Sequence, residues 1–133
     1  IAAAGTIRCN AGTTGANNLQ DNTNSGRTVS GSGGSAGGYI ELEALWGLTN
    51  SGTEECKGAA GTAALRATGG APIGNADGGG GGDGARIVHR YGLSHTAGTQ
   101  TVTGGAGGAG VGTGVAGAAG ATGSTLAQQI TSF

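Results

Sequence analysis

His89 and His95 are the only histidines in the chain. An imidazole does acid–base or nucleophilic work only beside a group that it can activate, and metal work only with further ligands. When residues 39–61 are laid on 86–107, His89 falls opposite Ala44 and His95 opposite Asn50. One segment therefore does without them, and they read as a strand-surface residue and a turn residue. Glu41, Glu43, Glu54 and Glu55 fall on two short strand-like runs. Paired carboxylates could serve glycoside hydrolysis, and Asp77 or Asp83 could join a calcium loop. The plainer reading is a solvated strand face. "GGGGGDGAR" (78–86) loosely fits one unit of the nine-residue calcium β-roll, in a single copy, with Ala85 where a large apolar residue belongs. GxGxxG spacings recur throughout and carry no information, and a phosphate-binding GK(S/T) is absent. No nucleophile–base pair or ligand cluster stands out. The expectation is a protein without enzymatic activity, cofactor or metal.

Cys9 and Cys56 hold matching places in "GTIRCNAG" and "GTEECKGA". A disulfide there would close a loop of roughly 46 residues, worth ~3–4 kcal/mol in the chain-entropy model. The alternative is a small buried apolar residue, since the third matching place holds Val102. Trp46 and Tyr91 each precede Gly-Leu. With Asn50 and His95 in the adjoining polar turns they make a set of receptor-binding candidates, because aromatics beside Asn, Ser, Thr and Gly loops suit recognition surfaces. They serve equally well as caps on an apolar layer.

The elements that must position these residues are unusual. The chain has 133 residues, of which 34 are glycine, and only 10 % are charged. Such a composition defaults to disorder. The low charge and the clustering of apolar residues at 39–48 and 85–93 argue for order instead. A net charge of −1 with six scattered basic residues gives no basic patch, so nucleic acid is not an expected partner. No apolar run reaches transmembrane length, so membrane insertion is not expected either. The opening "IAAAG" reads as the start of a processed or excised piece.

Thr6, Thr53 and Thr99 open three related phrases 47 and 46 residues apart. This spacing suggests one module over 1–133, with units at about 6–52, 53–98 and 99–133. Each unit reads as a strand ("YIELEALW", "ARIVHRYGL"), a polar turn, a second strand ("TEECK", "TQTVT") and a glycine tract. The expected fold is mainly β with irregular glycine-rich segments and little or no α-helix. In it, β-hairpins alternate with polyglycine tracts of polyproline-II type. Glycine at 104, 107, 110 and again at 117, 120, 123 has the three-residue period of that helix, with a phase slip near Gly112 and Gly114. Collagen is excluded by a single proline and the broken period. Side-by-side packing of such tracts would satisfy backbone groups laterally.

"GLSHTAGTQTVTGGAGGAG" (92–110), "GAAGATGSTLAQQITSF" (117–133), "RATGG" (66–70) and the junctions at 33–41 and 78–91 resemble the glycine-rich repeats of bacteriophage tail fibres and their distal adhesins. The resemblance implies a virion or extracellular location and attachment to a bacterial surface receptor, a glycan or an outer-membrane protein. Turns 47–53 and 92–98 would make the contact. Two further readings stand beside it. One is a purely structural subunit that self-associates as a trimer or polymer. The other is an ice-binding bundle, for which Thr13, Thr14, Thr62 and Thr113 form no regular array.

Overall fold

The computed structural model describes residues 2–3, 5–12, 28–66 and 74–131. Thr13 and Thr14, most of 66–70 and Phe133 lie outside these. The described chain is mainly β and contains no helix. Its strands are β1 (Ala2–Ala3), β2 (Thr6–Arg8), β3 (Thr28–Val29), β4 (Tyr39–Ala44), β5 (Gly47–Asn50), β6 (Thr53–Glu55), β7 (Leu65–Arg66), β8 (Arg86–Tyr91), β9 (Ser94–Thr96), β10 (Thr99–Thr101) and β11 (Ser124–Gln129).

The strands pair with their counterparts one circuit of the chain away. Three parallel sheets result, in the orders β1-β5-β9, β2-β6-β10 and β4-β8-β11. Thr6, Thr53 and Thr99 lie side by side, as do Ile40 and Ile87. This corrects the expected hairpins. β5 and β6 follow each other in sequence but belong to different sheets, so the chain turns a corner between them and does not fold back. The physical reason is burial. Some apolar places recur from circuit to circuit, and stacking circuits in register keeps Ile40, Ile87 and Cys56 in one cluster with Ile7, Leu42 and Val102. The one antiparallel pair of strands among the described residues is the two-residue β3–β7.

The register also corrects the alignment of Trp46 with Tyr91. Tyr91 lies beside Ala44, and the backbone N–H of Leu93 donates to the Trp46 carbonyl. The shared Gly-Leu dipeptide had drawn the alignment two residues out of register. Leu93 is the neighbour of Trp46.

Between the sheets run five described glycine segments, 30–38, 56–64, 76–85, 102–111 and 114–123. They hydrogen-bond side by side at every third residue. Gly31, Gly34 and Gly37 donate to Asp77, Gly80 and Asp83. Gly78, Gly81 and Gly84 donate to Val115, Ala118 and Ala121, and Gly79 and Gly82 donate to Thr62 and Ala59. Gly105 and Gly108 return bonds to Gly82 and Gly79. Segment 76–85 thus touches four others, and its sequence, DGGGGGDG, follows from that crowding. A Cβ on Gly79 would sit 2.0 Å from the Ser32 carbonyl oxygen, and one on Gly78 1.9 Å from that of Gly108. The third position of each triplet, held by Asp77, Gly80 and Asp83, is exposed. Segment 114–123 sits at an edge and needs glycine only at every third place. The phase slip is a chain reversal: Val111–Thr113 turn the chain, with Gly112 at φ 66°, where a side chain would be strained.

Candidate functional site

Two features stand out, one inside the three sheets and one at a corner. Inside, strands β5, β6, β8, β9 and β10 converge on a polar network. Glu54 and His89 have no exposed surface. Their neighbours along the stack, Ile7 beside Glu54 and Leu42 beside His89, are apolar. His89 Nε2 lies 2.8 and 2.9 Å from the two Glu54 carboxylate oxygens. Gln100 Nε2 donates to Glu54 Oε2 at 2.8 Å, and Asn50 Nδ2 donates to Oε1. Asn50 in turn accepts from the Gly52 backbone N–H. On the other side of the ring, His89 Nδ1 lies 2.7 Å from His95 Nε2, and His95 stacks on Tyr91 with ring centroids 4.8 Å apart.

The carboxylate fixes the proton on His89 Nε2, so the 3.3 Å approach of the Gln100 amide nitrogen to it is a contact of two donors rather than a hydrogen bond. Between the two rings there is room for one proton only. Burial, and then the neighbouring His89, hold His95 below the usual imidazole pKa. The chain Glu54–His89–His95 has the form of a carboxylate-oriented base. No group of three or more potential metal ligands forms a site among the described residues. The network is fully satisfied, with no unpartnered buried side-chain polar atom among the described residues. Its physical effect is to tie three sheets together at one level of the stack.

Several expectations are corrected here. Glu54 does not lie on a solvated face; it is buried and held by three side chains. Asn50, a receptor-binding candidate, is 1 % exposed and points into the network. His95 and Tyr91 are half-buried against each other. Residues 47–50 and 94–96, read as turns, are strands. Sequence reasoning missed the His–Glu pairing because it compared residues along the chain, whereas Glu54 and His89 meet across two sheets. The available signal was an acidic residue at the centre of "TEE" opposite Gln100 in "TQT", two polar residues where Ile7 stands in the first copy.

The corner is made by the turns that follow β4 and β8. Trp46 is 74 % exposed, Leu93 71 % and Leu45 56 %, and the backbone bonds from Gly92 to Ala44 and from Leu93 to Trp46 hold the two turns side by side. Cys9 and Cys56 are free thiols. Cys56 is buried with Ile40 and Ile87, and burial pushes its thiol pKa up, as for a small apolar residue in a core.

No family model, curated protein or solved structure matches the chain significantly.

Proposed function

We propose that the chain is a non-enzymatic attachment segment of an extracellular or virion-borne assembly, of the tail-fibre or adhesin type, that presents a rigid corner to a bacterial surface receptor. The observation that carries this reading is the exposure of Leu45, Trp46 and Leu93 on two turns that backbone hydrogen bonds hold together. Large apolar side chains side by side in water mark an interaction surface more often than a scattered exposed leucine does. Behind the corner lie the satisfied Glu54–His89 network and the laterally bonded glycine segments. Their three-residue hydrogen-bond spacing fits left-handed helices of polyproline-II type, and we read the segments as a bundle of such helices. A repeat of about 46 residues then serves to stack one circuit on the next.

The test is attachment of fluorescently labelled protein to a panel of bacterial cells. Binding to some strains, lost in a Trp46→Ser/Leu93→Ser variant that still folds, is the expected result. Equal binding by the variant, or none to any strain, would refute the assignment. A second reading, self-assembly into a filament, is favoured by β11. It is an edge strand of its sheet and all six of its residues are exposed. An open edge strand is a template for pairing with another chain. Light scattering on the native particle separates the two: a monomer favours attachment, a long polymer favours assembly.

A further inference from the structure

The face of the β4-β8-β11 sheet turned away from Ile40 and Ile87 carries three rows of side chains in register, with Val88 at its centre buried beneath its neighbours. Tyr39, Arg86 and Ser124 form the first, Glu41, Val88 and Leu126 the second, and Glu43, Arg90 and Gln128 the third. The two arginines are used differently. Arg90 pairs with Glu41 at 3.0 Å, and Glu41 also accepts the Tyr39 hydroxyl at 3.2 Å. The charge of Glu41 is thereby compensated and the Tyr39 ring is tethered. Arg86 pairs with no carboxylate among the described residues. It lies between an aromatic ring that is 52 % exposed and the exposed hydroxyl of Ser124.

These residues line a shallow groove of about 570 Å³ at the junction of sheet and glycine segments. Tyr39, Arg86, Thr122 and Ser124 line it together with Gly38 and Gly123. In-register positions on neighbouring strands are about 4.8 Å apart, so the backbone positions of Tyr39, Arg86 and Ser124 span roughly 10 Å.

We infer that this groove is a binding site for an acidic saccharide, a sugar ring bearing a carboxylate. The apolar face of the pyranose stacks on Tyr39, the carboxylate meets the Arg86 guanidinium in its two-pronged geometry, and ring hydroxyls bond to Ser124 and Thr122. Each feature selects. The aromatic ring favours a sugar over a bare anion, and the guanidinium, with no carboxylate partner among the described residues, favours an acidic sugar over a neutral one. The groove is a site apart from the Leu45–Trp46–Leu93 corner, and the inference rests on the proposed attachment role only for the source of the sugar. Binding itself is measured apart from cells.

The experiment is NMR titration of the isotopically labelled chain with methyl β-glucuronide, methyl β-glucoside and acetate. The glucuronide is expected to shift the Arg86 Nε–H, the Tyr39 ring and the Ser124 amide at concentrations where the other two do not. Arg86→Gln and Tyr39→Ala should each weaken binding about tenfold or more. Arg86→Lys should restore only part of it, because a lysine keeps the charge and loses the planar fork. Equal shifts with acetate would show an anion site and overturn the saccharide assignment. Shifts confined to the Trp46 corner, or none with any probe, would overturn the site itself. The wild-type shift map decides these outcomes even if a variant fails to fold. Loss of cell attachment with glucuronide binding intact would count against the attachment role alone.

Discussion

Gly80 and Gly82 lie two residues apart in the same glycine run, and alanine should act on them in opposite directions. A Cβ on Gly82 would lie 1.9 Å from the Ser35 carbonyl oxygen and 2.3 Å from its carbon, both backbone atoms. Restoring an ordinary contact of roughly 3.5 Å displaces segment 30–38 by about 1.5 Å. That displacement breaks the bonds from Gly34 to Gly80 and from Gly37 to Asp83, 2.8 and 2.9 Å long. A buried backbone group left without a partner costs about 1–3 kcal/mol, and overpacking adds ~1–3 kcal/mol. Gly82→Ala should therefore lose about 2–6 kcal/mol, a large share of a typical 5–15 kcal/mol. At Gly80 the nearest heavy atom to an added Cβ is 3.7 Å away, and the backbone is not in the positive-φ region. Gly80→Ala should be neutral or stabilising by ~0.4–1 kcal/mol, through the smaller entropy of the unfolded chain. Urea denaturation followed by circular dichroism reads both. Equal losses at the two positions would refute the packing order described for segment 76–85.

Three more outcomes follow from the sheets. Glu54→Ala strands His89, Asn50 and Gln100 in the interior and should cost about 3–5 kcal/mol in the same denaturation assay; a loss below 1 kcal/mol would mean that the network is not closed. His95 binds its proton at lower pH when folded than when unfolded, so the unfolded state carries more protons between those values. Its contribution to stability should be complete above about pH 6.5 and be lost as pH falls through the lowered folded value, and His95→Gln should flatten that part of the stability–pH curve. Trp46→Ser should change stability by less than about 0.5 kcal/mol, since the side chain lies in water; a larger loss would place Trp46 in a buried contact.

What was legible in the sequence was periodicity. Thr6, Thr53 and Thr99 do stand in one sheet, and the strand read in "YIELEALW" does bury one face. The partner of each strand was not legible. A strand, a polar turn and a strand read as a hairpin by local rules, and only the gain from stacking recurrent apolar positions such as Ile40 on Ile87 makes the chain turn a corner between β5 and β6 instead. Glycine spacing near Gly112 marked a break in period, but a reversal and a kink write the same letters. The role of Glu54 was hidden for a related reason. A carboxylate beside another carboxylate looks solvated, and Glu55 does reach the surface pairs with Lys57 and Arg8 that hold its pKa at about 2. Which of two adjacent glutamates faces inward depends on a register that the chain one circuit away determines.

Residue-resolved amide hydrogen exchange across 77–85 is the most direct measurement of this packing. Gly78, Gly79, Gly81, Gly82, Gly84 and Ala85 donate backbone hydrogen bonds to neighbouring segments, whereas Asp77, Gly80 and Asp83 donate none among the described residues. The expected pattern is two slow amides and one fast one, repeated three times. Uniformly fast exchange, or an unbroken run of protected amides, would contradict a glycine segment bonded to its neighbours on two sides of every triplet.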